Sequence, residues 1–248
     1  MNLNILKSRT LYLFEILLLI PCYPFLKSAG NKLRKNIIKL PPHSEYLEFG
    51  TNSSNPNLLI IGESTAAGVG ASKKETTFGS MMAETLLDNY NIFNVGKNGL
   101  KSSRLLTLYE KNESKLPDSF GKCIVLIGAN DCFQFSSPTK FTKGLNDFIL
   151  FVKKEKSCEQ FIIPLIPPVH HFPAIPKIIR FFLKIHREIL SLEVKNIAKN
   201  NPKVSFINQN EKYEAAFFAT DGIHPSDVGY RLMTDLVSIY IKEKGDQT

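Results

Sequence analysis

The chain has 248 residues, 43% hydrophobic and 22% charged, which suits one large domain with a buried core and an appendage. Its net charge of +8 is concentrated at the front, where residues 1–56 hold seven Lys/Arg against three Asp/Glu, a balance of +4. No zinc finger, aromatic RNA-binding signature or heptad accompanies that charge, so nucleic acid is not expected as a partner, and an anionic membrane surface is the partner to consider.

Residues 1–40 form a hydrophobic and basic arm. Within it "LYLFEILLLIPCYPFL" (11–26) is strongly apolar but interrupted by Glu15, Pro21 and Pro24. A spanning helix needs roughly 20 apolar residues. No small-residue cleavage site follows, and Pro21 stands where a lipidated Cys22 would want a small neighbour. The segment is expected to associate with a membrane, either as a span or as a shallow interfacial anchor; a helix packed on the domain is the other reading. Lys7 and Arg9 precede it and five basic residues follow within 27–39. If it spans, the positive-inside rule leans towards a cytoplasmic catalytic domain. Residues 41–56 read as a linker, and 57–248 as the folded domain.

From residue 57 strands and helices alternate. "NLLIIG" (57–62) is a short apolar run ending in glycine, expected to be a buried strand. A helix over 75–89 follows, then strand 92–96, helix 101–113, strand "CIVLIG" (123–128), helix 140–156 and strand 161–167. Helix 175–199, strand 204–208 and helix 227–244 complete the chain. Continuous apolar strands between helices imply a three-layer α/β/α domain with a mostly five-stranded parallel sheet.

In such a sheet function gathers at the carboxyl ends of the strands. Glu63-Ser64-Thr65 follow the first strand, "GKNGLKSS" with Gly99 the second, and "GANDCF" with Asn130 and Asp131 the third. "PPVHHFP" follows the fourth, and "TDGIHPSDVGY" lies beyond the last. Ser64 fits neither a phosphate loop nor a dinucleotide fingerprint: no Lys stands in the required register, and Lys73 replaces the third glycine of the latter. A helix cap is the plain alternative. A serine nucleophile, however, needs a base and an orienting group, and "DGIHP" supplies His224 and Asp221 three residues apart. The developing oxyanion needs donors, for which Ser64 N–H, Gly99 N–H and the Asn130 amide are candidates.

"GEST", "NVGKNG", "GAND" and "DGIHP" resemble the four sequence blocks of the SGNH (GDSL) hydrolase family, in order, from residue 57 to about 231. "STAAGVGA", "PPVHHFPAIP" and "FFATDGIHPSDVGYRLM" are similar to a lipase/esterase-like bacterial branch. The resemblance implies a flavodoxin-like fold and a serine esterase working through an acyl-enzyme. It assigns Ser64 as nucleophile, Asp221 and His224 as orienter and base, and Ser64, Gly99 and Asn130 as the oxyanion hole. It implies no cofactor and no metal, and a small-molecule or lipid ester as substrate. Glu63 departs from the family's Gly-Asp-Ser; a retuned turn is expected there. An α/β-hydrolase would place its nucleophile after several strands, with acid and histidine far apart. An acyltransferase acting on sugar or lipid alcohols, and a membrane-tethered binding module with a relict site, are the alternative functions.

Other candidates read as structural. His170 and His171 are expected in a solvated loop, His186 on the basic surface of helix 175–199, and Asp131 as a cap for its own turn. The four cysteines lack C-x-x-C spacing, which argues against a zinc site or a disulfide framework. Residues 177–190 alternate basic and apolar residues at helical spacing, as a helix packed on the sheet does; a lipid-facing helix is the alternative.

Overall fold

Side chains that alternate across a strand need cover on both faces, and helices supply it here. In a computed structural model describing residues 3–50, 52–207 and 213–245, six strands form one sheet. They are β1 (Tyr46–Phe49), β2 (Asn57–Gly62), β3 (Asn91–Gly96), β4 (Lys122–Leu126), β5 (Gln160–Pro164) and β6 (Val204–Ile207), in spatial order β1-β3-β2-β4-β5-β6. The last five pair in parallel; β1 runs antiparallel along the edge of β3. Leu58, Ile60 and Ile124 pack into one core with α2 (Phe78–Leu86) and α7 (Asp227–Gly245). Leu59, Ile61 and Val125 pack into the other. That second core is closed by α3 (Leu105–Glu110), α5 (Pro138–Glu155) and α6 (Lys177–Asn200).

The sheet is thus the expected three-layer α/β/α arrangement. The parallel strand order reverses between β2 and β4, and ligands bind outside the carboxyl ends at such a switch point. A one-turn helix, α4 (Ala129–Phe133), starts immediately after β4. The residues read as strand 123–128 therefore divide between strand and turn. The long reading of helix 101–113 also breaks up, into 3-10 turns at 102–104 and 113–115 around the short α3. Residue 208, read as the end of the last strand, lies outside the described residues.

The arm is one helix, α1 (Leu3–Asn36), continuous through Pro21 and Pro24 and long and apolar enough to be a membrane anchor or a signal sequence. One face of it lies on α6. Ser8 donates a buried hydrogen bond to Glu193 (2.6 Å), and the Glu15 carboxylate meets His186 Nδ1 at 2.7 Å with both side chains fully buried. His186 is therefore not on the surface, as its basic neighbours suggested. The opposite face leaves Leu6, Leu13 and Leu17 exposed.

Candidate active site

Ser64 sits where β2 leaves the sheet, 8% exposed, in a succession of tight turns rather than at a helix start. Its own carbonyl accepts from Val69 N–H, and Glu63 O accepts from Ala67 N–H. The next helix, α2, takes its cap from Thr77, whose hydroxyl accepts from Ser80 N–H, so Ser64 is not spent on capping. The run of small residues has a packing reason. Gly70 lies at φ +97, and a Cβ there would fall 2.4 Å from Pro225 O and 2.8 Å from His224 Cβ. Only glycine lets the serine loop press against the histidine loop. Tyr230 of α7 fixes the contact, its buried hydroxyl donating to Val69 O at 2.7 Å.

His224 Nδ1 lies 2.5 Å from Asp221 Oδ2, and Asp221 Oδ1 accepts from the backbone N–H of Ile223 and His224. Burial would raise the pKa of this carboxyl, but the bonds from His224 and Ile223 outweigh it and hold it below the ordinary aspartate value. A carboxylate on Nδ1–H makes Nε2 the basic nitrogen of the ring. Ser64 and His224 line the same cavity, of about 200 Å³; among the described residues no hydrogen bond joins their side chains. Such contacts are often loose without substrate.

Of the oxyanion candidates Ser64 and Asn130 line this cavity, while Gly99 lines the recess next to it. Gly99 stands at φ +77 with nothing within 4 Å of a would-be Cβ, so its backbone is open on that side. Asn98 and Asn130 both line the cavity. Asn130 is not free-standing, however. Its Nδ2 donates to Glu63 Oε2 at 2.7 Å, and the same carboxyl accepts from Ala129 N–H and Asn130 N–H at 2.9 Å each. One hydrogen of the Asn130 amide is committed to Glu63, leaving the second. Burial pushes the Glu63 carboxyl up to about 7, against these three bonds, with nearby Asp131 adding to the rise. Glu63 thus ties the β2 turn to the start of α4, a role that sequence reading did not give it.

Asp131 also differs from expectation. Besides a bond from the Ser136 side chain in its own turn, it reaches across to the loop after β3, accepting from Ser102 N–H (2.8 Å) and the Ser102 hydroxyl (3.2 Å). Asn130 and Asp131 therefore face opposite partners, one the β2 loop and one the β3 loop.

The cavity wall is apolar: Phe133, Leu165, Phe172, Phe217, Ile223 and Met233 contribute to it. The β5–α6 loop in that wall is held by two arginines missed in the sequence. Arg187 Nε donates to Ile166 O (2.7 Å) and Pro167 O (3.1 Å), and Arg180 donates to Phe172 O, Pro173 O and Ile175 O. Their one signal was a spacing of seven residues, two helical turns, which puts both on the same face of α6. His170 is half-buried rather than solvated; burial, then its neighbour His171, push its pKa down to about 4. Among the described residues no cluster of His, Cys, Asp and Glu is arranged to hold a metal.

The sequence profile of the GDSL-like lipase/acylhydrolase family matches residues 60–232. A member of the lipolytic G-D-S-L family from Veillonella parvula superposes with TM-score 0.56 at 19% identity, covering 73% of this chain and 94% of its own. An acetylxylan esterase from Geobacillus stearothermophilus gives 0.53 at 18% identity, with 77% and 94% covered. A family two carbohydrate esterase from Clostridium thermocellum, solved with cellohexaose, gives 0.57 at 15% identity, with 78% and 65% covered. Among curated proteins, none matches this chain.

Proposed function

Since the chain belongs to the GDSL-like lipase/acylhydrolase family, we propose that it is a serine esterase that cleaves carboxylic esters through an acyl-enzyme. The observation that carries this reading is that Ser64, Asn130 and His224, the last paired with Asp221, meet on one apolar cavity, with Gly99 following the lining residue Asn98. His224 Nε2 takes the Ser64 proton as the hydroxyl oxygen bonds to the ester carbonyl carbon. The oxyanion is met by Ser64 N–H, Gly99 N–H and the second Asn130 amide hydrogen. His224 then returns the proton to the leaving alcohol as the C–O bond breaks, and water repeats the sequence to free the acid. Asp221 stays ionised throughout and steadies the imidazolium. The chemistry in this reading is supplied by side chains and backbone donors alone.

Transfer to an alcohol in place of water remains a second outcome of the same acyl-enzyme. The α1 helix is proposed to associate the enzyme with a membrane surface through its exposed apolar face. Turnover of p-nitrophenyl butyrate, with and without added glycerol, tests the enzymatic reading. Hydrolysis is expected, and Ser64→Ala should lower kcat/KM by at least about a thousandfold. Equal turnover by Ser64→Ala would refute it, and a butyryl-glycerol product outrunning free acid would move the assignment to acyl transfer.

A further inference from the structure

Beside the cavity at Ser64 a second recess, of about 280 Å³, opens around the loop after β3. It shares Asn98 with the first cavity and includes Gly99, one of the oxyanion candidates. Lys97, Lys101, Arg104 and Lys111 line it, and no carboxylate does. None of these four cations has an ion-pair partner or a side-chain hydrogen bond among the described residues. Asp131, on which the charge of Lys101 acts, is buried and already accepts two bonds from Ser102.

Four like charges around one concavity repel each other, and low-dielectric walls concentrate their field. An isolated surface lysine needs no explanation; four cations around one recess, with the buried and already engaged Asp131 acting on Lys101 alone, favour an anion there. Lysines act as point charges and an arginine supplies a planar fork, the donor set suited to phosphate oxygens. The neighbouring cavity, by contrast, is walled by aromatic and aliphatic side chains. The two concavities together are complementary to an amphiphile, apolar on one side and anionic on the other.

We propose that this recess binds a phosphate-type anionic group on the ester substrate whose acyl chain fills the apolar cavity. The proposal rests on the esterase reading for the word substrate, and on the recess alone for the anion. Such a group occurs on lipid headgroups and on soluble phosphorylated esters, and chain length separates the two sources.

The test compares 1-octanoylglycerol 3-phosphate with 1-octanoylglycerol, which present the same ester bond with and without the phosphate. At low salt kcat/KM should be at least about tenfold higher for the phosphate ester. Arg104→Glu with Lys111→Glu should remove that preference while leaving the neutral ester within about twofold, and 0.5 M NaCl should reduce it in the wild type. Equal rates on the two esters, or equal losses on both in the double variant, would overturn the proposal. Butanoyl and dodecanoyl homologues then assign the source: a phosphate ester taken equally at both lengths is a soluble one, and one favoured with length is a lipid. If neither ester is cleaved, the esterase reading fails by itself. The recess is then read by calorimetry on Ser64→Ala protein with octyl phosphate and octyl glucoside. Phosphate-dependent binding that the double variant loses upholds the site, and equal binding of the two probes sinks it.

Discussion

Glu63 occupies the position where the family's name carries an aspartate, and its longer side chain reaches three N–H donors at the start of α4. Because one of them is the Asn130 amide, Glu63 in the proposed mechanism aims an oxyanion donor without itself touching the reacting atoms. In Glu63→Gln one acceptor oxygen becomes an NH₂ set against backbone N–H groups. Loss of one oxyanion donor costs roughly 10²–10³ in kcat, so a misaimed one should cost about tenfold to a hundredfold, with KM little changed. The same variant has a pH signature. The carboxyl pKa rises from an ordinary value near 4.5 to about 7 in the folded chain, so between those limits the folded state holds more protons than the unfolded one. Stability therefore falls as pH rises through that window, and the fall should vanish in Glu63→Gln, as thermal melts across pH 4.5–7.5 would show. An unchanged profile with unchanged kcat would remove Glu63 from the account. At this scale the sequence was legible for residues whose chemistry is local, such as Asp221 and His224 three positions apart. Glu63 was read only as an altered turn, because its partners lie 66 and 67 residues on and no spacing rule joins them.

Among the elements, α1 departs most from what its composition suggests. An apolar run with basic flanks looks like a span, yet Ser8 and Glu15 are buried against Glu193 and His186 of α6, which pins the two helices antiparallel. A span would have to carry α6, with its Lys, Arg and Glu residues, into hydrocarbon or strand the Glu15–His186 pair, and breaking such a pair costs about 3–5 kcal/mol. The proposed membrane association therefore takes the form of a helix lying along the surface, with the exposed Leu6, Leu13 and Leu17 towards lipid and Lys32, Arg34 and Lys35 near anionic headgroups. Flotation with phosphatidylglycerol-containing vesicles should therefore recover the full-length protein, and Leu13→Asp with Leu17→Asp should weaken binding at least about tenfold without altering p-nitrophenyl butyrate turnover. Flotation that ignores the aspartates would contradict this placement. Sequence showed the apolar run; it hid the docking face because His186 sits among lysines and arginines and its partner is 171 residues away.

Across the whole molecule, the parallel sheet was readable because its strands are short, mostly apolar runs, continuous in β2, β4 and β5, spaced between helical segments. β1 was not: "YLEF" is four residues long, carries Glu48 and pairs on one side only, so it resembles the surrounding connection until β3 is there to receive it. The lining of the candidate active-site cavity was equally hidden, since Phe133, Phe172, Phe217 and Met233 come from four separate parts of the chain. What the fold achieves is the meeting of the β2 turn with the loop before α7, through Gly70 and Tyr230. The direct measurement is intact-protein and peptide mass spectrometry after treatment with a fluorophosphonate. The account expects one adduct, on Ser64, formed far more slowly in His224→Ala and absent in Ser64→Ala. Labelling that persists in Ser64→Ala, or that proceeds at the wild-type rate without His224, would contradict it.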